Sequence, residues 1–380
     1  MELLIPIQAG LESVVKRQLY ALGYEKAPAE NGRIFLEGDW FDVARLNIRL
    51  RSGERVLLKM GSFTATTFDE FYDGFYALPW EQVLQTDSKI LMDGKSYQSE
   101  LGAIKAMGGV AKKAIIRRLA DQKRSGRTTF PETGARTIVG FSAYKNEVTV
   151  TVDTSGDGLH KRGYRTLAYT APLKETLAAA LIDNSFYNPT VDETKPFADV
   201  FCGSGTLPIE AALKALNIAP GLNRDFDFCH WKFVKEDAFR LAKEEAKDQE
   251  KRFVKPDIYG SDISPEVVSI AKYHAKKAGV EHAVRFEVKD MRKFRSEKPY
   301  GVLISNPPYG ERLMDEGEVK TLYRDLGETF RSLPDWSGYF LTSFPDFERW
   351  FKKSADKKKK LSNANLSCSF YSYFGKKPNF

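Results

Sequence analysis

The sequence predicts an α/β protein, with a mostly parallel sheet in its C-terminal part and an α+β region before it. Three observations lead there. From residue 159 to 380 short apolar runs alternate with amphipathic stretches, the rhythm of βαβ units. One of those runs, Phe197 to Phe201, breaks at Cys202-Gly203-Ser204-Gly205-Thr206 directly into a helical pattern. Before residue 159 the spacing is that of small α+β modules, and it changes at Asp153-Thr154-Ser155-Gly156-Asp157-Gly158.

A chain of 380 residues is too long for a single ordinary core and suits two to three domains, at roughly 150 residues each. An apolar fraction of 42% and a charged fraction of 29% exclude disordered and collagen-like classes. The three cysteines, Cys202, Cys229 and Cys368, are scattered and form no C-x-x-C pair, so neither a disulfide framework nor a thiolate zinc site is expected. The histidines show no ligand spacing either, and no metal is expected. No apolar run reaches the ~20 residues that span a bilayer, and Glu2 opens the chain where a signal segment would be basic, so the expected compartment is cytoplasmic. The net charge of +7 is uneven: −4 in residues 1–100, +8 in 101–165 and +3 in the remainder. A local excess of that kind reads as a footprint for a polyanion, because neutralising phosphates releases counterions.

The first elements read strand (Leu3 to Ile7), helix (Leu11 to Leu22, stopped by Gly23), strand (around Gly32 to Gly38), helix (Asp39 to Leu50) and strand (Arg55 to Gly61). From Thr67 an aromatic amphipathic helix is expected through Trp80 to Leu84, then a strand near Lys89 to Met92. In the basic segment that follows, Ala111, Ile115 and Leu119 recur every four residues and seat a helix on a core. That turns Lys113, Arg117 and Arg124 outward, and with Lys112 and Arg127 they are the candidate phosphate contacts. Two alternating strands meet at a turn on Lys145-Asn146. Lys357 to Lys360 is expected to be a solvated hairpin tip.

The glycine turn lets backbone approach a ligand closely, and the helix N-terminus behind it favours polar or anionic groups. The third glycine of a dinucleotide fingerprint is missing, since Pro208 stands there, so NAD is disfavoured and an adenosyl ligand with an amino-acid tail fits better. The next strand ends in Asp262, placed to grip a ribose, while Ser264 before Pro265 serves better as helix cap. A third strand ends in Lys289-Asp290, where Asp290 could hold an adenine amino group. The decisive segment is the strand Gly301 to Ser305 followed by Asn306-Pro307-Pro308-Tyr309-Gly310. Its prolines fix φ and remove two donors, leaving the Asn306 side-chain oxygen and the Pro307 carbonyl as acceptors for an NH₂ group, with Tyr309 as a stacking face. A conjugated amine is a poor nucleophile, and two acceptors on its hydrogens steer nitrogen toward sp³ as it attacks a methyl.

These motifs resemble class I S-adenosylmethionine-dependent methyltransferases, and more narrowly the bacterial THUMP-domain family that methylates guanine N2 in 23S ribosomal RNA. Further runs carry the likeness: His160-Lys161-Arg162-Gly163-Tyr164-Arg165, Ala171 to Ala179, Ile209-Glu210-Ala211-Ala212 and Ile218 to Leu222. The resemblance implies a ferredoxin-like module over residues 1–60, a THUMP RNA-binding domain over 61–158, and over 159–380 a Rossmann-like methyltransferase domain with a mostly parallel seven-stranded sheet. It implies S-adenosyl-L-methionine as cofactor and RNA, 23S rRNA foremost, as partner. It assigns the cofactor to Asp199, Gly203, Gly205, Asp262 and Asp290, the target amine to Asn306, Pro307 and Tyr309, and a closing segment to the surroundings of Thr170. The target base would be flipped from its helix. A tRNA guanine, adenine N6 and a protein glutamine amide remain as alternative acceptors, and the long insertion over 217–256 is open between packing on the catalytic domain and touching RNA.

Overall fold

A computed structural model describes residues 1–30, 32–124, 129–167, 173–309, 315–363 and 366–376. Its first half is one seven-stranded sheet in the order β2-β3-β1-β4-β7-β6-β5. The elements run β1 (Glu2–Pro6), α1 (Glu12–Ala21), β2 (Ala29–Glu30), β3 (Arg33–Glu37), α2 (Trp40–Arg49), β4 (Leu57–Thr64), α3 (Phe68–Ala77), β5 (Lys89–Tyr97), α4 (Ile104–Gln122), β6 (Arg136–Tyr144) and β7 (Glu147–Asp153). Asp39 and Thr67 close capping boxes with Asp42 and Glu70, which sets the starts of α2 and α3. The helix expected to reach Leu84 ends at Ala77, because Pro79 offers no N–H to continue it, and only one short turn follows over Trp80–Gln82. Trp80 still enters the core, fully buried, with its Nε1 donating to the Phe75 carbonyl at 2.6 Å. The turn between β6 and β7 lies on Lys145 and Asn146, both with positive φ, as their sequence suggests.

The second half follows the expected α/β rhythm: α5 (Glu175–Asp183), β8 (Phe197–Asp199), α6 (Thr206–Ala215), α7 (Glu236–Asp248), β9 (Ile258–Asp262), α8 (Pro265–Lys277), β10 (Arg285–Val288), β11 (Val302–Ser305), α9 (Glu316–Arg331), β12 (Ser337–Thr342), α10 (Phe347–Phe351), β13 (Lys357–Asn363) and β14 (Leu366–Tyr373). Its seven-stranded sheet has the order β10-β9-β8-β11-β12-β14-β13, with the first five strands parallel and β14 antiparallel to both of its neighbours, β12 and β13. The direction of strand order reverses beside β8, the place where open α/β sheets bind ligands. Lys357 to Lys360 is not a hairpin tip but part of the edge strand β13. Exposed lysines along an edge discourage pairing with another chain, which explains a charge run inside a strand.

The insertion packs on the N-terminal half. Trp40 of α2 meets Trp231 and Phe233 edge-on at 6.0 and 5.7 Å. Arg45 holds Glu245 of α7 through two nitrogens, and Arg136 holds Asp227 in the same forked manner. Gly221 donates to the Ile48 carbonyl at 2.8 Å, and a Cβ there would stand 2.6 Å from the Asn47 carbonyl oxygen. Among the described residues no helix is long and apolar enough to cross a membrane.

Candidate active site

Four parallel strands, β10, β9, β8 and β11, end side by side, and their ends carry the residues singled out in the sequence. The turn after β8 has φ of +50° at Gly203 and +89° at Gly205, a conformation that side chains rarely adopt. A Cβ on Gly203 would meet nothing within 4 Å, whereas one on Gly205 would press on Ala271 and Phe286 at 3.0 and 3.1 Å. Gly203 therefore faces open space and Gly205 faces the packing beneath. Gly205 also caps α6 without a side-chain acceptor, so the first N–H groups of that helix remain for a ligand.

Asp199 lies below the turn, 1% exposed. Its Oδ1 accepts from the Ser305 hydroxyl at 2.7 Å and from the Phe201 amide at 3.1 Å, while the Val200 amide donates to the Ser305 oxygen at 3.1 Å. These bonds stitch the tip of β8 to the tip of β11. Asp199, expected at the cofactor, uses its Oδ1 to organise the turn. Burial pushes its pKa up to about 7, against the two hydrogen bonds that favour the charged form. Asp262 accepts from the Gly203 and Ser264 amides, both at 3.1 Å, and so holds the glycine turn against the end of β9. Ser264 caps α8 through the Val267 amide, as the sequence indicates. Asp290, expected to recognise adenine, is held by its own neighbour. Its oxygens accept from the Arg292 amide and pair with the Arg292 guanidinium, each at 2.9 Å. Burial raises its pKa, but the Arg292 contacts prevail and leave it below the ordinary carboxylate value.

Asn306 follows β11 immediately. Its Oδ1 accepts a hydrogen bond from the Tyr309 hydroxyl, which in turn accepts from the Asn363 Nδ2 at 3.1 Å. The Tyr323 hydroxyl donates to the Pro308 carbonyl at 2.7 Å and fixes the Pro-Pro segment from α9. No described residue donates to the Pro307 carbonyl. Tyr309, expected as a stacking face, is half-buried, with its pKa pushed up to about 12 by burial. Thr170 and Gly310 lie outside the described residues.

Sequence reasoning missed several contributors. Ser305 could have been noticed as a polar end to an apolar strand. His274 is buried beneath the turn with Nδ1 3.1 Å from the Ser204 carbonyl oxygen. Ile263, 69% exposed, stands beside Asp262 at the tip of β9. Asn363 comes from the edge strand, 57 residues from Asn306, and carried no local signal. The motif around residue 160 has a structural part. Arg162, buried, faces Glu210 of α6 at 3.5 Å and donates to the Leu159 carbonyl at 2.6 Å, and the Tyr164 hydroxyl donates to the same carboxylate at 3.1 Å.

On α4 the buried stripe includes Met107, Ala111, Ala114, Ile115 and Leu119, leaving Lys113 and Arg117 exposed. Arg117 pairs with Asp121 at 2.9 Å, and Lys112 is tied to the Ile90 carbonyl and to Glu132, so neither is an unengaged cation. Arg124 is exposed just past the helix; Arg127 lies outside the described residues. Among the described residues no cluster of His, Cys, Asp and Glu could hold a metal ion.

Comparison with known proteins bears on this geometry. Residues 162–372 match the family described as RMKL-like, methyltransferase domain, and residues 2–57 match the RlmL ferredoxin-like domain. YpsC of Bacillus subtilis, provisionally named an RNA methyltransferase, is 38% identical over 97% of this chain and 94% of its own. Ribosomal RNA large subunit methyltransferase K/L of Psychromonas ingrahamii is 33% identical over 97% of this chain, which spans about half (49%) of that relative. The crystal structure of SMU.472, provisionally named a methyltransferase and complexed with SAH, superposes with a TM-score of 0.94 at 40% identity, covering 100% of this chain and 99% of that one. A Listeria monocytogenes protein described as a predicted N6-adenine-specific DNA methylase superposes at 0.92 with 42% identity, covering 99% and 96%. The chain belongs to the RMKL-like methyltransferase family, with the RlmL ferredoxin-like domain at its N-terminal end.

Proposed function

We propose that this protein transfers the methyl group of S-adenosyl-L-methionine to the exocyclic N2 of a guanine in RNA, 23S rRNA foremost. The observation that carries the reading is the Ser305–Asp199 link, which holds the acceptors of Asn306-Pro307 in fixed relation to the glycine turn. The residues fit the donor: an open backbone at Gly203, unbonded N–H groups at the start of α6 for its carboxylate, Asp262 for its ribose and exposed Ile263 as an apolar face for its adenine. When bound, that donor supplies an electrophilic methyl group on a sulfonium. The chain's own part is to hold and desolvate the acceptor. The Asn306 oxygen and the Pro307 carbonyl take the amine hydrogens, which localises the nitrogen lone pair and stabilises the charge that develops on it. For this the Tyr309 hydroxyl must leave Asn306, and its ring is then available to the flipped base. Asp290 is free for an adenine amine only if Arg292 turns toward Asp325, its other partner at 2.6 Å.

Residues 1–60 act as the ferredoxin-like module and 61–158 as a THUMP RNA-binding domain, with Lys113 and Arg124 among its exposed cations. The basic segment supports RNA over a protein amide, which has no use for a +8 surface. Adenine N6 is the second reading, favoured by the name of the Listeria relative. The deciding experiment is methylation of rRNA, tRNA and DNA with labelled donor, followed by digestion and mass spectrometry of the nucleosides. N2-methylguanosine from rRNA is the expected product, and N6-methyladenosine or an unmodified RNA pool would overturn the assignment.

A further inference from the structure

At the outer edge of the N-terminal sheet, the edge strand β5 pairs in parallel with β6 so that Tyr97 stands opposite Tyr144. The two rings are 6.1 Å apart and within 3° of parallel, yet 67% and 48% of these residues is exposed. The opposite face of the same strands, with Ile90, Val139, Phe141 and Ala143, is buried, and Phe141 lies against Phe71 and Phe75 of α3. The tyrosines therefore do not serve the core. Lys145 places its ammonium 5.4 Å over the Tyr144 ring, and its own amide donates to the Tyr97 carbonyl at 3.3 Å. The hairpin tip is further pinned where Asn146 accepts from the Glu100 amide at 2.8 Å and its carbonyl accepts from Ala65 at 2.9 Å. Lys95 lies two residues before Tyr97 on the same exposed face; the acids nearby are Asp93 on that face and Glu100 and Glu147 beside the tip, the last engaged by the Thr64 hydroxyl.

We propose that Tyr97 and Tyr144 form a stacking platform for unpaired RNA bases, remote from the base that is methylated, with Lys145 and Lys95 meeting the adjoining phosphates. Two flat, parallel, stacked rings with a nearby cation continue the geometry of stacked bases and charged backbone in a single strand, and stacking tolerates any base sequence. The position adds a requirement on the substrate. β6 begins at Arg136, which grips Asp227 of the insertion, and ends eight residues later at Tyr144, about 26 Å away at the usual rise per residue. The RNA must then present an unpaired stretch well beyond the domain junction, so the enzyme would act on a large folded RNA rather than a short oligonucleotide. This proposal rests on the reading of the chain as an RNA methyltransferase.

The test uses the whole protein, a fluorescein-labelled single-stranded RNA 12-mer and the corresponding 12-bp duplex, with affinity read by fluorescence anisotropy. Tyr97→Ala with Tyr144→Ala should weaken single-strand binding about tenfold to a hundredfold and leave duplex binding and calorimetric S-adenosylhomocysteine binding unchanged. Tyr97→Phe with Tyr144→Phe should restore the single-strand affinity, because the rings and not the hydroxyls stack. If the alanine variant binds the single strand as tightly as the wild type, the platform is wrong and the RNA reading stands. If the wild type binds neither RNA, the RNA reading fails and the platform with it.

Discussion

The Asn306 amide oxygen has two claimants: the Tyr309 hydroxyl, which holds it in the structure, and the amine that the proposed reaction requires there. A neutral hydrogen bond is worth only about 1 kcal/mol net, so an incoming base that supplies two donors and a stacking surface can displace Tyr309. Asn306→Ala removes the oxygen for either partner. Turnover should fall by ~10²–10³ in a methyl-transfer assay, with S-adenosylhomocysteine affinity by calorimetry essentially unchanged; wild-type turnover would rule out the acceptor pair. A second residue-scale consequence concerns Glu175 at the start of α5, 2% exposed. Burial raises its pKa to about 7, against the lowering effect of Arg165 at 3.4 Å. The folded state thus holds its proton more tightly than the unfolded chain does. The stability from this group is full below the unfolded value of 4.5 and is lost as pH rises toward about 7. Glu175→Gln cannot ionise, so the fall in thermal stability between pH 5 and pH 8 should shrink by an amount on the order of 2 kcal/mol. An unchanged pH profile would place the titration elsewhere.

Elements whose signals are local were legible in the sequence, and those whose partners are distant were not. Asp39 and Thr67, each followed three residues later by an acid, became capping boxes. The glycine turn and the Asn-Pro-Pro-Tyr segment stood out because a tight turn and a donor-free strand end each need particular residues in a row. At Pro79 the missing N–H outweighs an apolar pattern that continues past it. The lysines of β13 carry charge that suggests a loop, whereas an edge strand tolerates and uses it. Asn363 and the docking of the insertion were invisible, since Trp40 meets Trp231 across 191 residues of sequence. That docking depends on close backbone approach at Gly221. A methyl group there would collide with the Asn47 carbonyl oxygen at 2.6 Å and the Ile48 Cα at 2.7 Å, both backbone atoms that cannot swing aside. Gly221→Ala should therefore cost about 1–3 kcal/mol, read as a lower denaturation midpoint. A wild-type midpoint would mean that the insertion shifts freely over α2.

Between the two sheets, a buried charged network lies within an apolar core that both halves share. Arg162, whose side chain is 2% exposed, faces Glu210, whose side chain is fully buried, and Arg162 also donates to the Arg51 carbonyl in the N-terminal half. Arg51, in turn, donates to the carbonyls of Leu213 and Ile218, and burial pulls its pKa down to about 10. Because Glu210 lies on α6, the helix that starts at the glycine turn, this network connects the N-terminal half to the cofactor end of the methyltransferase sheet. A pair buried this deeply contributes little net stability when intact, since desolvation offsets the attraction, but removing one partner strands the other charge. Glu210→Ala should consequently destabilise the protein by about 3–5 kcal/mol, and a paired Glu210→Met, Arg162→Met variant should recover most of that loss. Calorimetry distinguishes the outcomes. If the halves form one cooperative unit, the wild type unfolds in a single transition and the single variant in a lower one; two resolved transitions in the wild type would show that the network does not couple them. Coupling of this kind matters to the proposed function, because an RNA gripped along the N-terminal sheet is aligned with Asn306 only if the two sheets move as one body.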